Sequence, residues 1–375
     1  MSATQTAPAK LSSGMRTPGD HVIVLFGATG DLARRKLLPG LYHLDRAGLL
    51  PAGYRIVGTS RRPLSDEAFR AVARAAVVEF GRGELDPEAW DAFAAGLSYA
   101  SSDAADASAL ADAVDRAKEQ IGGSPRLLHY LSVPPVAFAG IAEALGASGL
   151  TGDGRVILEK PFGTDLASAR ALNAIVHGVC DESQIFRIDH CLGKEAVQNI
   201  LALRFALEAL IDNDRWRGVP FYLRTGKQLA QGRRVITIAF KEPEIQLFPL
   251  ADGTNRGPNE LVFEVAEPGR ISASFLAKVP GATLELGPAR MEFRYDDSFC
   301  AANQLEAYER LIHDALLGDR TLFTRADGIE RLWEVATPLL ERPPAVERYP
   351  PGSWGPDSLN QLIAPRRWHL PEDGR

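Results

Sequence analysis

The sequence predicts an α/β protein: a Rossmann-like doubly wound parallel sheet, followed by an α+β domain with an antiparallel sheet. Three observations support this fold class. The run HVIVLFGATGDLA, residues 21–33, is apolar up to Gly27 and leads into a helical pattern, as a buried parallel strand leads into its helix. Strand and helix patterns then alternate to about residue 186. Beyond it, short apolar segments separated by Gly and Pro turns indicate antiparallel strands.

The individual elements follow from local composition. Further strands are predicted at YRIVGTS, at RLLHYLSVPP, which must end at Pro134, and at RVILEKPFG, which Pro161 closes. Helical patterns occupy about residues 65–80, 86–95, 103–120 and 136–149. The second half should contain a helix over about 192–210, five strands and a helical C-terminal third. The strand candidates are RRVITIAFK, ELVFEVAE, RISASFLAK, ATLELG and MEFRYD.

These patterns divide the chain into three parts. Residues 1–19, rich in Ala, Ser, Thr and Pro, are predicted to form a disordered tail. Residues 20–186 should form the Rossmann-like domain, and residues 187–375 the α+β domain. A length of 375 residues with 45% hydrophobic and 24% charged residues is sufficient for two cores of ordinary size.

Charge and cysteine content argue against several classes of function. The net charge of −6 provides no general attraction to nucleic acid or to anionic membranes, so an anionic ligand must be held by local Lys and Arg residues. Cys180, Cys191 and Cys300 show no CxxC or His-rich spacing, so neither a metal site nor a disulphide framework is predicted. No run of 18 apolar residues occurs, so no membrane span is expected. These features favour a cytoplasmic protein.

The motif GATGD, Gly27 to Asp31, lies where the first strand ends. Glycines there let backbone amides approach a phosphate, and the helix that follows presents its positive N-terminal end. The spacing lacks the complete GxGxxG pattern, so a tight strand-to-helix turn without a ligand is an equally open interpretation.

Two further basic positions follow predicted strands. Arg61, after the second strand, occupies the place where an NAD site usually has Asp or Glu, so it favours the 2′-phosphate of NADP. A pair of solvated arginines, Arg61 and Arg62, is the alternative. Lys160 ends another parallel strand, at the sheet edge where ligands of open α/β folds bind, and a cis bond to Pro161 could aim it inward. Without that context Lys160 would be a surface residue.

Long motifs of the chain resemble those of the glucose-6-phosphate dehydrogenase family. GATGDLARRKL is similar to GxxGDLAxRKL, YLSVPP to YLAxPP, ILEKPFGTDL to VEKPFGxDL, and RIDHCLGKEAVQNILALRFA to RIDHYLGKExVQNLxxLRFA. DNDRWRGVPFYLRTGKQL resembles NxRWxGVPFxLRxGKxL, and AYERLIHDALLGD, LFTRADGIE and WEVATPLL also match. The resemblance covers about residues 21–360 and implies hydride transfer from C1 of glucose 6-phosphate to NADP.

The resemblance also assigns roles to single residues. In RIDHCLGKE, residues 187–195, it implies that His190 and Lys194 bind the sugar phosphate and that Asp189 is the aspartate of a catalytic His-Asp dyad. Lys227 and, one place out of register, Arg233 would bind the substrate as well. The implied NADP site consists of Gly27, Ala28, Thr29, Gly30, Asp31, Leu32, Arg61, Asp103, Tyr130 and Lys160.

The chain departs from the family pattern between LRFA and DNDRW. Family members have a long block there, with an RGGYYDxxGxxRDMxQNHLLQ signature that carries the base histidine, a substrate-binding Glu and Asp, and at least one strand of the antiparallel sheet. Residues 203–216 read LRFALEALIDNDRW, without this block. The other histidines lack the motif, and Cys191 replaces a tyrosine. The antiparallel sheet is therefore expected to be incomplete, and the dimers or tetramers common in the family become doubtful.

Three interpretations of function remain open at this point. The first is an active NADP-dependent dehydrogenase in which another residue accepts the proton. The second is a catalytically silent relative that binds NADP and regulates or pairs with a complete enzyme. The third is a damaged gene product with no settled function. We adopt the dehydrogenase function, with weak or absent turnover.

Overall fold

A computed structural model describes residues 16–102, 107–188, 205–242, 248–251, 259–265, 269–294, 297 and 305–369. Its backbone contacts divide the chain into two units. The first consists of Met1–Gln198 and Leu305–Pro344, and the second of Asn199–Gln304 and Ala345–Arg375. The sequence prediction placed residues 305–344 with the second half of the chain, whereas their contacts are with the first.

The first unit contains a six-stranded parallel sheet in the order β3-β2-β1-β4-β5-β6, which is the Rossmann order. β1 is buried along its whole length because it lies between β2 and β4. The predicted doubly wound sheet is confirmed, and the outer strands β3 and β6 are additions to the predicted set. The six strands are His21–Phe26, Tyr54–Ser60, Leu97–Ser101, Arg126–Leu131, Arg155–Glu159 and Ile185–Ile188.

Helices cover both faces of this sheet. A π-helical turn, Ala33–Leu37, precedes α1. The helices of the first unit are α1 Leu38–Arg46, α2 Asp66–Phe80, α3 Pro87–Ala95, α4 Ser108–Ile121, α5 Phe138–Ala147, α6 Leu166–His177, α7 Ala307–Leu317 and α8 Ala326–Glu341.

Alternate residues of β1 enter two separate hydrophobic cores. Ile23 and Leu25 pack in the core formed with α1, α2, α3 and α7. Val22 and Val24 pack in the core formed with α4, α5 and α6, to which Ile329 of α8 also belongs. This division follows from the period of two residues in a strand. It also explains why α7 and α8 belong to the first unit: each contributes to one of its cores.

The second unit contains two antiparallel sheets. β7 Phe205–Leu210 pairs with β8 Pro220–Thr225. β9 Val235–Ala239, β10 Glu260–Glu264, β11 Arg270–Lys278 and β12 Leu286–Arg294 form a four-stranded sheet in the order β12-β11-β10-β9. A short helix, α9 Ser358–Ile363, also belongs to this unit. The predicted antiparallel sheet is thus present.

Two predictions for this unit were wrong. Residues 205–210 form a strand instead of the end of a helix, because pairing with β8 outweighs the helix propensity of Leu, Glu and Ala. ATLELG and MEFRYD were predicted as separate strands, but residues 286–294 form the single strand β12. Pro288 does not break it, because an edge strand can turn the side that lacks an N–H away from its neighbour.

Across the residues that the structure describes, no helix combines the length and the apolar character needed to cross a membrane.

Candidate functional site

The carboxyl ends of the parallel strands bring the predicted cofactor residues to one edge of the sheet. β1 ends at Phe26, directly before Gly27, and β2 ends at Ser60, directly before Arg61. β4 contains Tyr130, and β5 ends one residue before Lys160. Since all the strands are parallel, the segments that follow them emerge at the same edge. In open α/β sheets this is the edge at which ligands bind.

The turn after β1 requires a glycine at position 27. Gly27 has φ +69°, and a Cβ atom added to it would lie 2.1 Å from the carbonyl oxygen of Ser132. The turn is held on both sides: Gly30 N–H donates to the Gly27 carbonyl at 2.8 Å, and Ala28 N–H to the Thr59 carbonyl at 3.2 Å. Only a residue without a side chain allows this close approach to the segment after β4.

The rest of the motif becomes more accessible toward the helix. Ala28 is fully buried, Thr29, Gly30 and Leu32 are partly exposed, and the Asp31 side chain is 81% exposed and accepts a hydrogen bond from Arg35 Nε at 2.7 Å. The first N–H groups of a helix have no partner within the helix, so they attract anions. This exposed beginning of a helix beside the glycine turn suits a pyrophosphate.

The segment after β2 is held by hydroxyl groups, and it leaves Arg61 in solvent. Ser60 Oγ lies 2.7 Å from the Tyr99 hydroxyl, which also donates to the Arg62 carbonyl at 2.7 Å. The Arg61 side chain is exposed, and among the described residues its guanidinium has no hydrogen bond or ion pair. A fixed backbone with an available guanidinium fits a dianionic 2′-phosphate.

A carboxyl group beneath this edge is paired with a tyrosine. The Tyr130 hydroxyl, on a side chain that is 2% exposed, donates to Glu159 Oε1 across the neighbouring strands β4 and β5. Burial raises the pKa of Glu159 to about 7, although the hydrogen bond from Tyr130 opposes that rise. Burial and the nearby carboxylate raise the pKa of Tyr130 well above its usual range. Glu159 therefore titrates near neutral pH.

The raised pKa of Glu159 predicts how the stability of the protein depends on pH. The pKa of Glu159 in the folded protein lies above its ordinary value of 4.5, so the folded state holds this proton more tightly than the unfolded state does. The free energy of unfolding is therefore highest below pH 4.5, falls as the pH rises to about 7, and then levels off. The loss due to Glu159 should reach about 3 kcal/mol at most. Glu159→Gln should flatten the decline in unfolding free energy between about pH 5 and pH 8, measured by denaturant unfolding.

Tyr130→Phe is the matched control, because it removes the hydrogen bond that lowers the Glu159 pKa. In this variant the decline should move to higher pH instead of disappearing. Equal declines in the wild type and in Glu159→Gln would show that Glu159 does not titrate in this range.

Lys160 lies in a rigid turn. The Lys160–Pro161 bond is cis, as the sequence suggested, and the Lys160 side chain is partly exposed. The Phe162 side chain is 7% exposed, and its carbonyl accepts from Trp333 Nε1 at 3.3 Å. Gly163, with φ +84°, lies so close to α6 that an added Cβ would be 2.5 Å from the Ala169 nitrogen.

The other predicted residues fall into two groups. Asp103, Asp189, His190 and Lys194 lie outside the described residues. Lys227 and Arg233 belong to the second unit.

The structure gives these two basic residues different surroundings. Lys227 has an exposed side chain, and its carbonyl accepts a hydrogen bond from the Tyr349 hydroxyl at 2.8 Å. Arg233 forms a two-point ion pair with Glu264, with both nitrogen-to-oxygen distances at 2.9 Å, and Glu264 also pairs with Arg270. A substrate phosphate would have to compete with Glu264 for Arg233.

Sequence reasoning did not single out Glu159 or Ser132. Both lie within motifs of the chain, LEKPFG and YLSVPP, whose lysine and prolines are the residues with a recognisable local signal. A carboxylate at the last position of a buried strand was a signal for Glu159. The contact of Ser132 with Gly27 joins two distant parts of the chain, and no local pattern indicates it.

Comparisons with known proteins agree with this architecture. Residues 24–199 match the family model described as glucose-6-phosphate dehydrogenase, NAD binding domain, and residues 202–369 match the corresponding C-terminal domain. A glucose-6-phosphate 1-dehydrogenase of Chlamydia pneumoniae is 31% identical over 489 residues, covering 93% of this chain and 95% of its own. Glucose-6-phosphate 1-dehydrogenase 2 of Mycobacterium tuberculosis is 32% identical over 494 residues, covering 95% and 96%.

These alignments are longer than the 375 residues of the chain, so the relatives have residues without a counterpart here. Among solved structures, glucose-6-phosphate 1-dehydrogenase from Mycobacterium avium superposes with a TM-score of 0.76 at 26% identity, covering 95% of this chain and 100% of that one. A glucose-6-phosphate dehydrogenase in complex with its substrate glucose-6-phosphate gives 0.79 at 26% identity, covering 96% and 100%. With both domain models matched in sequence order, the chain belongs to the glucose-6-phosphate dehydrogenase family of oxidoreductases.

Proposed function

We propose that the protein binds NADP and glucose 6-phosphate and transfers hydride from C1 of the sugar, giving 6-phosphogluconolactone at a low rate. The main support for this proposal is the arrangement of residues at the carboxyl edge of the parallel sheet. There the Gly27 turn begins a helix, and Arg61 extends from a fixed backbone an exposed guanidinium that has no partner among the described residues. This combination suits a phosphorylated dinucleotide better than either feature alone.

The cofactor would be held mainly by backbone groups. The N–H groups of the turn from Gly27 to Leu32, other than those of Ala28 and Gly30, which already donate to protein carbonyls, would bind the pyrophosphate, and Arg61 the 2′-phosphate. Tyr130, Lys160 and Asp103 are the remaining members of this proposed site. When bound, NADP supplies the acceptor for the hydride. We expect NADP to be preferred to NAD because Arg61 stands where an NAD site usually has the Asp or Glu that binds the ribose hydroxyl.

The substrate would be held by cationic side chains. His190 and Lys194 are proposed to bind its phosphate, because imidazolium and ammonium groups form charge-assisted hydrogen bonds with a dianion. Lys227 and Arg233 are proposed to assist them. Asp189 is the proposed remnant of the catalytic dyad, whose histidine partner would belong to the block missing after residue 206. The low rate follows from that loss. A cytoplasmic location is also part of the proposal, in accordance with the cysteine pattern.

Ligand binding tests this proposal independently of turnover. NADP at about 100 times its Kd should raise the free energy of unfolding by about 2.7 kcal/mol, a shift of several degrees in Tm. NAD should give a smaller shift at the same concentration, and glucose 6-phosphate should give its own. Thermal unfolding with each ligand in turn measures all three.

Arg61→Ala should weaken NADP binding about 10- to 100-fold, because a hydrogen bond to a charged group contributes about 1.5–3 kcal/mol. NAD binding should not change. Arg62→Ala is the control, because Arg62 is equally exposed and adjacent. No shift with NADP would contradict the cofactor assignment. A shift with NADP and none with sugar would support a silent NADP-binding relative instead.

A further inference from the structure

Arg187, the first residue of RIDHCLGKE, has a buried charge. Its side chain is 1% exposed, although it carries a guanidinium that stays protonated. Nη1 donates to both carboxylate oxygens of Glu182 at 2.9 Å, and Nη2 donates to Asn173 Oδ1 at 3.1 Å. Asn173, 5% exposed, is held in turn by Glu330, to which its amide nitrogen donates at 3.0 Å. A buried arginine with this set of partners has its orientation fixed.

Glu182 connects Arg187 with three other donors. Arg320 Nη2 lies 3.2 Å from Oε1, and His177 Nε2 lies 2.8 Å from Oε2. The backbone N–H of Ala326, the first residue of α8, donates to Oε1 at 3.2 Å. Glu182 therefore joins β6 and α6 to the beginning of α8.

The segment LFTRADG, residues 322–328, holds the same strand from the other side. Thr324 N–H donates to the carbonyl of Arg187 at 3.2 Å, which forms an isolated antiparallel bridge. The rings of Phe323 and Phe186 meet edge to face at 4.8 Å. Side chain and backbone of Arg187 are thus both anchored. The proposed function leaves this segment without a role, although it is one of the motifs that match the family.

These contacts lie just before the proposed substrate-binding residues in the sequence. β6 ends at Ile188, the residue after Arg187, and Asp189 and His190 come next in the sequence. We propose that Arg187, held by Glu182 and the LFTRADG segment, is a positioning residue that sets where the substrate-binding segment begins. This inference rests on the proposed function, because it takes Asp189 and His190 as substrate-site residues. Arg187 itself is not proposed to touch the substrate.

Two substitutions of Arg187 distinguish the effect of its charge from the effect of its planar guanidinium group. Arg187→Met fills similar space without a charge and leaves the Glu182 carboxylate without its main partner. Arg187→Lys keeps the charge, but an ammonium is a point donor on a flexible chain and cannot replace the planar fork that reaches both Glu182 and Asn173. Arg170→Met is the control. Arg170 lies on α6 and pairs with Glu330 and Glu334, but its side chain is 53% exposed.

The experiment measures Kd for glucose 6-phosphate and, separately, for NADP by calorimetry on the whole chain, with circular dichroism as a check of folding. Arg187→Met should weaken glucose 6-phosphate binding at least about tenfold while the Kd for NADP changes less than about twofold, since the NADP site is built on other strands. Arg187→Lys should fall in between, and Arg170→Met should match the wild type. If Arg187→Met does not fold, the Lys variant is compared in the same way.

The outcomes are distinct. A folded Arg187→Met or Lys variant with unchanged affinity for glucose 6-phosphate would overturn the inference. An equal loss of affinity for glucose 6-phosphate and for NADP would also overturn the inference, because a general destabilisation of the protein would produce that result. A wild type that binds no glucose 6-phosphate would overturn the proposed substrate, and the inference with it, before any variant is made.

Discussion

Gly27→Ala should weaken NADP binding at least about 10²-fold, since it should cost at least two backbone hydrogen bonds to phosphate, each about 1.5–3 kcal/mol. An alanine Cβ would lie 2.1 Å from the Ser132 carbonyl oxygen, so the turn or the segment after β4 must move. The protein should also lose stability through the positive φ of +69°. Calorimetric titration with NADP and a thermal unfolding curve measure the two effects separately.

Gly48→Ala provides a matched control for this prediction. Gly48 has the same φ of +69°, but an added Cβ would meet nothing within 4 Å. It follows α1 and lies away from the carboxyl edge of the sheet. The control should therefore show the cost of the backbone strain alone and keep full affinity for NADP. Equal affinities for NADP in Gly27→Ala and Gly48→Ala would rule out the glycine turn as the pyrophosphate site.

The second large effect is expected in turnover. A general base contributes about 10² to 10⁴ in rate, so kcat with glucose 6-phosphate and NADP should be lower by that factor than in a relative that carries the histidine block. Water would accept the proton from the C1 hydroxyl. Imidazole added at constant pH should raise kcat in a concentration-dependent way, since it supplies the missing proton acceptor. Absorbance of the reduced cofactor under steady-state conditions follows the reaction.

A relative that carries the histidine block, assayed alongside, is the comparison for this measurement. Its kcat should not respond to imidazole if, as the family resemblance implies, its own histidine accepts the proton. Turnover by this chain at the level of the relative would show that another group serves as the base. A normal rate would also remove the reason to expect that the hydroxyl-binding Glu and Asp of the family are needed here.

The fold could be predicted where the local pattern was strong. Five consecutive apolar residues in β1, followed by Gly27 and a helical pattern, identify a central parallel strand from the sequence alone. β3 and β6 were missed because LSYAS and IFRI are only five and four residues long, too short to show a period. Residues 205–210 were assigned to a helix because FALEAL is rich in helix formers, and only the pairing with β8 makes them a strand.

Some residues of the candidate site could likewise be predicted from the sequence, and others could not. Gly27 and Arg61 could be predicted because each directly follows a strand, and parallel strands bring their ends together. The Tyr130–Glu159 pair depends on which strands are neighbours. The Arg187–Glu182 group depends on residues more than 130 positions away in the sequence, as in the contact of Arg320 with Glu182. Such contacts join distant parts of the chain and leave no trace in local periodicity.

Pro288 in β12 affects how the four-stranded sheet can grow. β12 is the outermost strand on its side, and each additional strand must be bound through N–H and carbonyl groups on that side. A proline provides no N–H, so a ladder of hydrogen bonds along this edge would be interrupted at the third of the nine residues of β12. This interruption disfavours the addition of a further strand at this edge, whereas β9, at the opposite edge, contains no proline.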